Sequence, residues 1–122
     1  MGTVNKVMLV GNLGHDPEIK QLDSGRSVCN FRIATTERWR KKENGEVEER
    51  TEWHRVAAWG KQAEVVAKYL SKGRKVCVEG RLQTRTFTDR DGVERRTTEI
   101  IADRVTFLDG KRSDEEPVRD AA

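Results

Sequence analysis

The stretch TEWHRVAAWGKQAEVVAKYLSKGRKVCVEG, residues 51–80, holds the strand–helix–strand succession on which the fold turns. In its first part Trp53, Arg55, Ala57 and Trp59 alternate with His54, Val56 and Ala58. Side chains alternate across a strand, so Thr51 to Trp59 reads as a strand with two chemically different faces. From Lys61 to Lys72 the period changes. Ala63, Val66, Ala67 and Leu70 follow the i, i+3, i+4, i+7 spacing of an amphipathic helix, and Gly73 stands where a C-terminal cap belongs. Residues 74–83 return to strand character.

Before this stretch, Val4 to Leu13 reads as a strand, with Gly11 marking a bulge or bend. Residues 14–27 contain Pro17 and the turn signal Asp23-Ser24-Gly25 and read as a loop. Residues 28–38 alternate again: Cys29, Phe31 and Ile33 share one face, and Asn30 and Arg32 the other. Residues 40–50, RKKENGEVEER, form a charged arm that turns at Asn44-Gly45. Thr84 to Thr98 is a longer arm turning at Asp91-Gly92, and residues 98–108 close the domain with a last strand. The order is three strands, one helix, two strands. That is an all-β chain with one helix, the layout of an OB-fold: a five-stranded Greek-key barrel, here with extended β-hairpin arms. In this fold the second and third strands and the loops at the barrel's mouth make the usual ligand surface.

The chain has 122 residues, enough for one domain, at 1–108, and a short tail, at 109–122. The tail sets Lys111, Arg112 and Arg119 against Asp109, Asp114, Glu115, Glu116 and Asp120, a net charge of −2. With +3 for the whole chain, residues 1–108 carry +5. A basic domain followed by a disordered, acidic-leaning tail suits a protein that meets an anion. Cys29 and Cys77 lie in apolar strand-like runs and read as two buried free thiols of a reducing compartment. With no Cys-x-x-Cys and no partner spaced for His15 or His54, no metal site or other cofactor is expected. No signal core or spanning segment is visible, so a cytoplasmic location is expected. No carboxylate pair, Ser/Cys–His pairing or phosphate loop stands out, so an enzyme is not expected.

The candidate site residues are rings set among cations. Trp39, Trp53, Trp59 and Phe87 have Arg38, Arg40, Arg55, Lys61 and Arg85 as neighbours. Aromatic faces interleaved with positive charge are what a protein needs to stack unpaired bases and hold their phosphates. On the third strand, Arg55 between Trp53 and Trp59 fits a base platform. It fits equally a pair of tryptophans capping a core with the arginine reaching outward. Arg85 and Phe87 repeat the pattern on the second arm. His54 lies on the other face beside Val56 and Ala58 and reads as a packed or interface residue.

These residues bring a family into view. Val4-Asn5-Lys6-Val7, Leu9 to Gly14, Asp16-Pro17-Glu18, Thr51 to Val56, Gly60-Lys61 with Ala63-Glu64, Tyr69-Leu70 with Lys72-Gly73, Glu79-Gly80 with Leu82, Thr84-Arg85 and Thr97-Thr98-Glu99 occur in order. Over roughly residues 3–108 the chain resembles bacterial single-stranded DNA-binding proteins of the homotetrameric OB-fold type. The resemblance implies a tetramer built as a dimer of dimers, wrapped by single-stranded DNA without base-specific readout. It implies protection of that DNA in replication, recombination and repair, and a nucleoid-associated place in the cytoplasm. It puts Trp39, Trp53, Trp59 and Phe87 at stacking positions, and Lys6, Arg55, Lys61, Lys72 and Arg85 at backbone-contacting ones. His54 falls at a subunit contact. Phe87 stands where the family more often has tryptophan, and Trp59 where it often has phenylalanine. The family's Gly/Pro/Gln-rich linker and acidic Pro-Phe tip, its route to replication and repair proteins, have no counterpart in residues 109–122. A second reading is an OB-fold interaction module of a primosome-type assembly.

Overall fold

A computed structural model describes residues 2–108. Its elements are β1 (Val7–Leu13), β2 (Glu18–Gln21), β3 (Ser27–Arg40), β4 (Val47–Trp59), α1 (Lys61–Tyr69), β5 (Lys75–Thr88) and β6 (Glu94–Phe107). β1 pairs antiparallel with β5, β5 with β6, and β4 with β3, while β4 and β6 run parallel at Val56↔Ile100 and Ala57↔Ile101. β1 returns to β3 at Asn12↔Ala34 and Leu13↔Ile33, closing a barrel of five strands with β2 appended to β3. This is the expected OB-fold topology.

The apolar periodicities of the sequence become the barrel interior. Cys29, Phe31 and Ile33 from β3 meet Val56 and Ala58 from β4, Val76 and Val78 from β5, and Ile100 from β6, all buried. Ala63, Val66 and Leu70 bring the apolar stripe of α1 into the same cluster, so the helix plugs one end of the barrel. Its burial is what holds so short a helix, which would be marginal alone.

Gly11 is where one strand serves two partners. It pairs with Val76, and its neighbour Asn12 stands opposite both Lys75 and Ala34. A Cβ at Gly11 would overlap the Ala34 carbonyl oxygen and meet Ile33 Cγ2 at 2.6 Å. The expected interruption is thus a bend with close backbone approach; the register shift falls at Glu79/Gly80.

Other boundaries differ from expectation for identifiable reasons. β1 begins at Val7, because Asn5 reaches β5 with its side chain instead of its backbone. Its Nδ2 donates to Leu82 O at 2.9 Å and its Oδ1 accepts Leu82 N–H at 3.0 Å. Within the expected 14–27 loop lies β2, four exposed residues paired to 27–30; without a buried face, it has no alternation to betray it. The helix ends at Tyr69 with Leu70 as its cap, so Gly73 is not the cap residue. Gly73 instead takes φ 92° in the turn that enters β5.

Both arms are extensions of barrel hairpins. β3 and β4 stay paired to Arg40↔Val47, and β5 and β6 to Thr88↔Glu94. Beyond the core the first arm is held by cross-strand polar pairs: Thr36 to Thr51 at 3.1 Å and Arg38 to Glu49 at 2.9 Å. At the tip of the second arm, the Asp89 carboxylate accepts from Arg95 Nε at 2.9 Å and from the Asp91 and Val93 N–H groups. The Arg95 bond, then those N–H groups, hold its carboxyl below the usual carboxylate range. The expectation of a tail at 109–122 lies outside the described residues.

Candidate nucleic-acid interface

Pairing in register places directly opposed residues on one face of a sheet. On β3 and β4 these pairs are Val28↔Trp59, Asn30↔Ala57, Arg32↔Arg55 and Ala34↔Trp53. The inward face is taken by Val56 and Ala58, so this set looks outward from the barrel. Through Ala57↔Ile101 the same face continues onto β6, where Glu99 and Thr97 follow by alternation, and onto β5 at Arg85↔Thr97 and Phe87↔Arg95. One outer surface therefore carries Trp53, Arg55, Arg85 and Phe87.

Trp53 is 52% exposed, a large ring held at the surface. Its seat is built by the β1–β2 loop. Gly14 lies against the ring, so that a Cβ there would overlap Trp53 Cζ3, and the His15 ring sits tilted 6.5 Å from it. Phe87 is 41% exposed, with the Arg85 guanidinium 5.7 Å over its ring. Arg85 is also paired with Glu99 at 3.4 Å. Beside these groups, a cleft of about 390 Å³ is lined by His15, Arg32, Arg55, Arg85 and Thr97 among others. Flat apolar rings beside guanidinium groups can hold a base by its face and a phosphate by its charge.

The two readings left open for β4 divide between its tryptophans. Trp59 packs on a small outer cluster of Val28, Ala57 and Ile101, and the Arg26 guanidinium covers it at 5.0 Å. It caps apolar surface, whereas Trp53 stands open.

The remaining candidates are not brought to the cleft. Trp39 is 43% exposed, but alternation puts it on the Ile33 and Thr35 face of β3, opposite Trp53. Lys6 pairs with Glu79 at 3.5 Å beside β1. Lys61 opens α1, just beyond Trp59. Lys72 stands in the turn after the helix, where its backbone N–H donates to Asp16 Oδ1 at 2.8 Å. His54 is half-buried on the face away from Trp53, with Nε2 2.9 Å from Thr35 Oγ1.

Sequence reasoning missed Arg32, Arg26 and Gly14. For Arg32 the signal was present: it alternates with Phe31 and Ile33 on a strand whose other face is apolar. For Arg26 and Gly14 there was none, since both act from turns on rings distant in the chain.

A model of the single-strand binding protein family matches residues 4–108, which span the whole barrel, the helix and both arms. The chain belongs to the single-strand binding protein family. It is similar to a solved structure titled Plasmodium falciparum SSB complex with ssDNA, with a TM-score of 0.78 and 37% identity. That match covers 89% of this chain and 98% of the other. Among the described residues no helix is long and apolar enough to cross a membrane.

Proposed function

We infer that this chain binds single-stranded DNA without base-specific readout and shields it during replication, recombination and repair in the cytoplasm, at the nucleoid. One observation carries the reading. A chain of the single-strand binding protein family sets Trp53, Arg55, Arg85 and Phe87 on one continuous outer sheet face. Stacking on such rings contributes on the order of 1–3 kcal/mol per base and accepts any base, because every base has a π-face. Trp39, on the opposite face of the first arm, extends the path only if the strand passes round the arm, as a wrapping strand does. Lys6, Lys61 and Lys72 border that longer path as phosphate contacts. No bond-breaking step belongs to this reading: the chain is a binder and not an enzyme.

Self-association completes it. Met8 is 61% and Val10 44% exposed on β1, an apolar pair that solvent alone would leave uncovered. Beyond its pairing with β5, β1 meets β3 only at Asn12 and Leu13, which leaves the edge of residues 7–10 open among the described residues. Two copies joined by such surfaces, and paired again through the His54 side of the sheet, give the tetramer expected of the family.

The reading is tested by competition between an oligo-dT, mixed-sequence single strands and the matching duplex. It predicts similar affinity for all single strands and far weaker binding of duplex. Equal affinity for duplex overturns it.

A further inference from the structure

Arg32 and Arg55 are paired directly across β3 and β4, on the outer face beside Trp53. Directly opposed residues have Cβ atoms about 5 Å apart, and like charges in that relation repel. Most arginines on this side of the molecule are neutralised: Arg85 by Glu99, Arg95 by Asp89 and Arg38 by Glu49. Among the described residues Arg32 and Arg55 have no ion-pair partner, although both are exposed and line the cleft. The acidic groups lining that cleft do not cancel them. Glu99 is engaged by Arg85, and Asp16 accepts the Lys72 N–H, leaving Glu18, which forms no ion pair with either arginine.

We propose that Arg32 and Arg55 together form a seat for a single phosphate group of the bound strand, next to the base stacked on Trp53. An anion between two opposed guanidinium groups turns their repulsion into attraction on both sides. The planar fork of each arginine matches the oxygens of a phosphate. Arg85, held by Glu99 and lying over Phe87, serves the ring beside it and not this phosphate. Arg32 is thereby a binding residue of the same standing as Arg55. The proposal rests on the single-stranded DNA reading above.

The test is the salt dependence of oligo-dT binding by the full chain, comparing wild type with Arg32→Gln, Arg55→Gln and the double variant. One phosphate contact on a single strand adds about 0.7 to the slope of log affinity against log salt. The seat predicts that each single variant weakens binding and flattens the slope, and that the double variant loses about 0.7 in total and no more. It also predicts that Arg32→Gln melts at or above the wild-type temperature, since removing one guanidinium relieves the repulsion. Unchanged affinity and slope in Arg32→Gln, or a lowered melting temperature with unchanged slope, overturns the seat. Independent losses summing to about 1.4 overturn the shared phosphate. A wild type that fails to bind oligo-dT overturns the functional reading itself.

Discussion

Gly14 fits against the Trp53 ring so closely that any side chain at position 14 would occupy the volume of Cζ3. The ring is half exposed, and its orientation is set from behind by a residue that contributes nothing but absence of bulk. Gly14→Ala should therefore turn or displace the ring. The loss of oligo-dT affinity should approach that of Trp53→Ala, about 1–3 kcal/mol. The Gly14→Ala, Trp53→Ala pair should be non-additive, because both remove the same platform. Fluorescence titration of the four proteins checks this; full additivity would mean that Gly14 does not act through Trp53.

Trp53 and Trp59 occupy the same face of one strand yet should answer differently to truncation. Trp59 covers Val28, Ala57 and Ile101 beneath Arg26, so Trp59→Ala should cost about 2 kcal/mol of stability in denaturant unfolding. Trp53→Ala should leave stability within about 0.5 kcal/mol of wild type, as expected for an open surface ring. The same two variants should rank in the opposite order for loss of DNA affinity.

The two thiols should be distinguishable by chemistry. Cys29 is fully buried in the core, and that burial raises its thiol from the ordinary 9.0 to about 11, whereas Cys77 is half-buried. At pH 8 a thiol reagent should label Cys77, which pairs across from Val10, faster in dissociated copies than in the assembled protein, and Cys29 only on unfolding. The raised value also has a sign for stability. The unfolded thiol ionises near pH 8.5–9 while the folded one stays protonated, so stability falls as pH rises from there towards about 11. Mass spectrometry of labelled native protein, and melting as a function of alkaline pH, check both statements.

His54 shares a hydrogen bond with Thr35 on the face that Trp53 does not use. His54→Asp should weaken assembly, since a carboxylate would be enclosed there without a partner. Sedimentation at micromolar concentration should give a tetramer for wild type and smaller species for the variant. A monomeric wild type would contradict the assembly.

Much of this was legible in the sequence because burial writes itself as periodicity. Val56 and Ala58 against Trp53 and Arg55 revealed two faces, and Ala63, Val66 and Leu70 revealed a helix stripe; both were found where expected. Illegible parts were those without a buried face or with only distant partners. β2 is four exposed residues, and Asn5 imitates strand pairing with a side chain. Gly14 and Arg26 touch tryptophans 39 and 33 positions away, a relation that only the fold creates. The difference in cover between Trp53 and Trp59 was likewise beyond alternation, which gives both the same face and says nothing about what packs on each.

A Trp53–Arg55–Phe87 face that grips single strands by stacking should report the strand through its own ring. The decisive titration follows tryptophan fluorescence with oligo-dT at low salt, for wild type and for the Trp53→Ala, Phe87→Ala double variant. Strong quenching with tight binding in wild type, and a loss of about 2–6 kcal/mol in the variant at unchanged stability, is the expected result. Absence of quenching in wild type, or a double variant that binds as wild type does, would contradict it.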